Sequence, residues 1–142
     1  MKTRIMYGSK LIAEVGLKDE VVVLLERFRQ EFHPPNPVFL LLHPNGNGLY
    51  ILLSTDWCSA VYEDQNGDCY MVTNDAPIDD LDEYASSVRF NNDGHPTHMP
   101  IRNCIRFEDL VRIAAHFTMS GQRTEDDSIW EYWGKVDSTI AR

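Results

Sequence analysis

From Val21 to Phe32 the apolar side chains fall at Val21, Val22, Leu24, Leu25, Phe28 and Phe32, the 3.6-residue stripe of a helix with one buried face. Asp19 and Glu20 stand where carboxylates complement the helix dipole, so a helix over 19–32 is expected. It must stop near His33, because Pro34, Pro35 and Pro37 remove amide donors and push the residues before them out of helical geometry. The pattern then changes. Val38 to Leu42 and Leu49 to Leu53 are short apolar runs around His43-Pro44-Asn45-Gly46-Asn47-Gly48, whose Asn-Gly pair is suited to the positive φ angles of a tight turn. Cys58 to Tyr62 and Cys69 to Val72 flank Glu63-Asp64-Gln65-Asn66-Gly67-Asp68 in the same way, and four strands in sequence predict an antiparallel meander.

Residues 74 to 84 include Pro77 and no sustained alternation, and read as a loop or short helical turn. Ser87 to Phe90 and Met99 to Ile101 read as further strands. Phe107, Leu110, Val111, Ala114 and Phe117 repeat the helical stripe over 107–120, and Gly121 stands where a left-handed cap belongs. Ile129 to Trp133 reads as a late strand with Trp130 and Tyr132 on one face and Trp133 on the other, one face core and one exposed. The order predicts an α+β fold: an antiparallel sheet of about five to seven strands with two main helices packed on it, in a single domain over 1–142.

Composition narrows the partners. The chain has 142 residues, 43% of them apolar, enough for one core; its net charge is −9 and its pI near 4.9, which argues against binding a phosphate backbone. A basic protein is the more natural partner. The N-terminal Met1 to Gly8 lacks the apolar region of a secretory signal, no segment is long and apolar enough to span a bilayer, and a cytoplasmic location is expected. Cys58, Cys69 and Cys104 form no C-x-x-C pair and are expected to be reduced core residues. Between Gln30 and Val88 there is no Lys or Arg for 59 residues, against ten carboxylates.

Candidate chemistry is sparse. No G-x-S-x-G, phosphate-cradling loop or dinucleotide fingerprint occurs. Neither His95 and His98 with Cys104, nor the Asp64 to Asp68 turn, matches a zinc or calcium ligand spacing. The chain is therefore expected to be no enzyme and to carry no metal or cofactor. Asp75, Asp79, Asp80, Asp82 and Glu83 fall within nine residues, beside Ile78, Leu81 and Tyr84. Anchors ringed by charge are how an interface combines affinity with steered association, so these five acids are candidate contacts, with Tyr84 as an anchor and Asp64 and Asp68 as secondary contacts. Both acidic groups at one end of the sheet would make a single negative face suited to a basic groove; at opposite ends, the reading of them as merely solvated surface regains ground. A small enzyme with a Cys or carboxylate site, and an adaptor that self-associates through exposed aromatics, are the alternatives.

Gly67-Asp68-Cys69-Tyr70 in a hairpin, then a helix running into Gly121-Gln122-Arg123 and, shortly after, Ile129-Trp130-Glu131, resembles the first-numbered immunity-protein family of bacterial polymorphic toxin systems. The resemblance spans roughly residues 36 to 133; Thr124 stands where the family commonly has Pro, and Glu125 to Ser128 lengthen the connection to the Trp. It implies a small acidic α+β protein whose partner is a cognate toxin domain of nuclease or deaminase type, neutralised by direct binding. It would also give the acids a role, as a negative surface occupying the basic groove such a toxin presents to nucleic acid.

Overall fold

The apolar stripes and runs fold, in the computed structural model, which describes residues 2–74 and 87–135, into ten strands and two helices. In chain order these are β1 (Thr3–Tyr7), β2 (Lys10–Val15), α1 (Lys18–Glu31), β3 (Val38–Leu42), β4 (Gly48–Leu52), β5 (Trp57–Glu63), β6 (Asp68–Val72), β7 (Ser87–Asn92), β8 (His95–Pro100), β9 (Ile105–Arg106), α2 (Phe107–Ser120) and β10 (Trp130–Lys135). Helix α1 begins where Glu20 Oε1 accepts the backbone N–H groups of Gly16 (3.0 Å) and Leu17 (2.9 Å). Those bonds hold the Glu20 carboxyl below its ordinary range. Helix α2 ends at Gly121, whose φ of +69° is the left-handed cap expected there.

Seven strands run in the order β10-β6-β5-β4-β3-β1-β2, every pair antiparallel, and the two-residue β9 attaches to β5. The meander β3 to β6 is as expected and forms the middle of the sheet. Its turns differ from expectation in detail. In both, only the glycine has positive φ, Gly46 at 95° and Gly67 at 89°, while Gly46 N–H bonds His43 O and Gly67 N–H bonds Asp64 O at 3.0 Å. This is a three-residue loop with a glycine bulge; the two-residue turn with both central φ positive occurs between β7 and β8, at Asp93 (50°) and Gly94 (91°).

The β1–β2 hairpin is an addition to the expected order; it extends the sheet past β3. Strands β7 and β8 pair only with each other along their length, as a separate hairpin laid on the sheet. The expected strand over 99–101 is the end of β8, because Ile101 to Asn103 turn into a 3-10 helix.

Register decides what each face meets. Ile5, Leu41, Leu49, Tyr62 and Tyr70 stand opposite one another across five strands on the face that both helices cover. Val21 and Leu25 of α1 and Leu110, Ile113, Ala114 and Phe117 of α2 complete that core. Tyr7, Phe28, Phe32 and Phe39 close one side of it as a ring cluster with centroids 4.9 to 5.9 Å apart. On the other face a second core gathers Val38, Leu52, Met71, Phe90, Met99 and Cys104 beneath the β7–β8 hairpin. The hairpin is pinned by Asn91 N–H to Asn36 O (2.7 Å) and Asn36 Nδ2 to Arg89 O (3.1 Å).

Candidate functional site

The acidic turn between β5 and β6 is built by its own carboxylates. Asp64 Oδ1 accepts the backbone N–H of Asn66 (2.9 Å) and of Asp68 (3.0 Å), the local bonding for which Asp is favoured in turns. Asp68 Oδ1 accepts the Tyr132 hydroxyl at 2.9 Å, which ties β10 to the turn and raises the Tyr132 pKa. Both carboxylates are half-buried and hold the turn and β10 together. The remaining predicted contacts, Asp75, Asp79, Asp80, Asp82, Glu83 and Tyr84, lie outside the described residues.

The described residues on either side of that segment are placed clearly. Asn74 donates from its backbone to Arg102 O (2.8 Å) and from Nδ2 to Ile101 O (2.6 Å) and Cys104 O (2.5 Å); Ser87 pairs with Pro100. Both therefore sit at the Pro100–Cys104 turn. Asp68 opens β6 and Asn74 follows its end, about 20 Å away at roughly 3.3 Å per residue. The acidic turn and these flanking residues lie at opposite ends of β6.

Of the residues that carry the family resemblance, Gly121, Gln122 and Arg123 meet the meander near the Asp64–Asp68 end, while Trp130 pairs with Val72 and Ile129 O accepts the Thr73 N–H near the other end of β6. Gly121 O accepts the side-chain amides of Asn45 (3.2 Å) and Asn47 (2.8 Å). Asn47, buried, also donates to the Tyr62 hydroxyl (2.8 Å) and accepts the Gln65 N–H (2.9 Å), while that hydroxyl donates to Gln122 Oε1 (3.1 Å). Burial, with Asp64 nearby, pushes Tyr62 up to about 12. The Arg123 guanidinium lies 3.7 Å over the Tyr70 ring, and Trp130 Nε1–H bonds Thr124 Oγ1 at 3.0 Å. This network faces inward and ties both meander turns to the end of α2.

Strand β10 corrects one expectation. Trp130 and Tyr132 face one way, opposite Val72 and Tyr70, and Trp133 faces the other, as expected; but only Trp130 is buried, while Tyr132 is 55% exposed and Trp133 60%, so neither side of the strand is core throughout. A register shift between Tyr132 and Gly134 leaves Trp133 without an opposite residue on β6, and Tyr132 stacks at the sheet edge on Tyr70 (5.2 Å) instead of entering the core.

All three thiols are free and buried, and burial raises each: Cys58 to about 11, Cys104 to about 12, and Cys69 upward as well. A nucleophilic cysteine needs the opposite shift. Among the described residues no group of three His, Cys, Asp or Glu side chains could hold a metal ion.

A groove of about 340 Å³ lies between the sheet and β8. Tyr50, Val61 and Met71 form its floor, Met99 and His98 one wall, Arg102 and Asn103 one end, and Trp133 overhangs the edge. No sequence signal marks it beyond the placement of Trp133 opposite to Trp130, because its residues come from seven separate strands and a turn.

The cations are drawn onto rings. Arg29 lies 3.8 Å over Phe107, Arg106 4.0 Å over Trp57 and Arg27 5.5 Å over Phe28, in addition to Arg123 on Tyr70. Between described residues one ion pair forms, Arg112 to Asp109 at 3.3 Å, and both partners are exposed.

Fold and charge together define an acidic α+β protein with a helix-covered sheet face and a grooved one. No protein-family model matches the chain, and no curated protein matches it significantly. No helix among the described residues is long and apolar enough to cross a membrane.

Proposed function

We propose that this chain is an immunity protein: it acts by binding, in the bacterial cytoplasm, and neutralises a cognate toxin domain of nuclease or deaminase type by presenting acid to a basic substrate groove. The observation that carries the reading is the handling of charge. Four arginines lie over aromatic rings and one ion pair forms between described residues, while the chain as a whole carries a net charge of −9, a field of one sign. Such a field steers a cationic partner and raises association rates by roughly 10- to 1,000-fold at low salt. The three thiols, shifted away from reactivity, favour binding over cysteine catalysis.

The test is the affinity for the toxic domain encoded beside this chain, measured from low to high salt. Charge reversal at Asp79, Asp80 and Asp82 to Lys is expected to weaken binding and flatten its salt dependence, with the circular dichroism spectrum unchanged. Unchanged affinity at low salt refutes the acidic-surface mechanism. A second reading, self-association, is favoured by Tyr132 and Trp133 standing exposed on the edge strand β10. Sedimentation of the chain alone separates the two: a monomer at micromolar concentration excludes it.

A further inference from the structure

Arg102 stands apart from the ring-stacked arginines. It is the one Lys, Arg, Asp or Glu among the residues lining the groove on the hairpin side of the sheet; Val38, Leu52, Val61, Met71, Met99 and Trp133 make the lining mainly apolar, and Asn92, Thr97, His98 and Asn103 add neutral polar groups at its rim on the hairpin and turn side. Its backbone is fixed, because its carbonyl accepts both the Asn74 N–H (2.8 Å) and the Thr73 hydroxyl (3.2 Å). Its side chain is not: no hydrogen bond or ion pair joins the guanidinium to a described residue, and Nε is shut off from water with no acceptor. Buried donors left this way are rare, and they mark a site as incomplete.

We infer that the groove is a binding site for a small apolar carboxylate, an aryl or short-chain alkyl acid, held by Arg102. The volume lies at the lower end of the roughly 300–1,000 Å³ typical of small-molecule sites. The floor takes an apolar body. The single cation selects the head group: a carboxylate accepts two parallel N–H bonds from a guanidinium edge, whereas an amide or alcohol accepts fewer and leaves the charge unbalanced. A phosphate dianion is disfavoured by the apolar walls, which charge it a larger desolvation cost than a monoanion. Nε is covered, so the acid meets Arg102 at the groove wall and the guanidinium turns to present its edge. That rotation breaks no bond to the described residues. The inference does not depend on the immunity reading, and its test uses the chain without any toxin.

Calorimetric titration of the full chain with 2-naphthoate and with 2-naphthamide, matched in shape and differing in charge, is the experiment. Naphthoate is expected to bind one to one and at least tenfold more tightly than naphthamide, and its addition to shift the methyl resonances of Met71 and Met99. Arg102→Met is expected to remove the tenfold preference, Arg102→Lys to retain part of it, and Val61→Trp, which fills the floor, to weaken both ligands. Equal affinity of the two ligands for the unaltered chain overturns the proposal whether or not any variant folds. So does an absence of naphthoate binding at millimolar concentration, a preference that survives Arg102→Met, or methyl shifts that bypass Met71 and Met99.

Discussion

The two faces of the sheet are made by alternate residues of the same strands, yet they are covered very differently. Phe39, Leu41, Leu49 and Ile51 point to the helices and none is more than 1% exposed, while Leu40 and Tyr50, their neighbours along β3 and β4, are only half-buried. The cause is the cover. Two 14-residue helices lie on one face, and on the other a hairpin of six-residue strands reaches only part of the width. Antiparallel sheets tolerate this asymmetry, because each strand can be apolar on one side and mixed on the other. One face is thus given to stability, and the other keeps a concavity that can be filled.

The comparison is tested first at its stable side. Phe117→Ala, at the centre of the helix face, is expected to lower unfolding free energy in urea by about 3–5 kcal/mol. Met99→Ala, which already borders open space, is expected near the lower end for buried methionine, about 2 kcal/mol. Equal losses would mean that the grooved face is packed as tightly as the other.

Alkaline titration samples both cores at once. Cys58 belongs to the helix-face core and Cys104 to the hairpin-face core, and each thiol has a folded pKa above its ordinary value of 9.0. The proton is held more tightly in the fold, so the stability from each thiol is complete below pH 9 and is lost as pH rises through about 11 to 12. The thermal midpoint is expected to fall over that range. Either Cys58→Ala or Cys104→Ala should make the decline shallower, with Tyr62 supplying part of what remains. A decline unaffected by Cys104→Ala would place the whole effect on the helix face. The smallest effect is expected at the rim: Trp133→Ala, removing a 60% exposed ring, should change stability by no more than about 0.5 kcal/mol.

Much of the fold could be read in the chain because its strongest signals are local. The α1 and α2 stripes, the meander and the Gly121 cap depend on residues within a turn or two of one another, and they stand within one or two residues of expectation. The β1–β2 hairpin escaped because Arg4, Lys10 and Glu14 interrupt its apolar positions, as suits the sheet's outer strands, and because no Asn-Gly pair marks its turn. The exposure of Tyr132 escaped for another reason: alternation gives the side a residue faces, and Tyr132 keeps that side opposite Tyr70, but not that β10 is an edge strand where that side is left uncovered. For the site, the sequence distinguished two acidic clusters separated by a short strand and left open whether they share one end of the sheet; the second cluster lies outside the described residues. The groove was beyond reach. Its floor follows from register, but its walls require the hairpin to fold back over the sheet, and no periodicity encodes that placement.

The pairing of β6 has a consequence for how the molecule is made. Its first partner, β5, immediately precedes it, but its second, β10, is synthesised only after the second hairpin and α2. During that interval the middle of the sheet can form from local contacts while β6 presents a bare backbone edge to other nascent chains. Asn47 waits too, since its acceptor on Gly121 has not yet arrived. Chains stalled or cut short after Gly121 should therefore aggregate through that edge, which makes the last described strand the element that ends the protein's most vulnerable period.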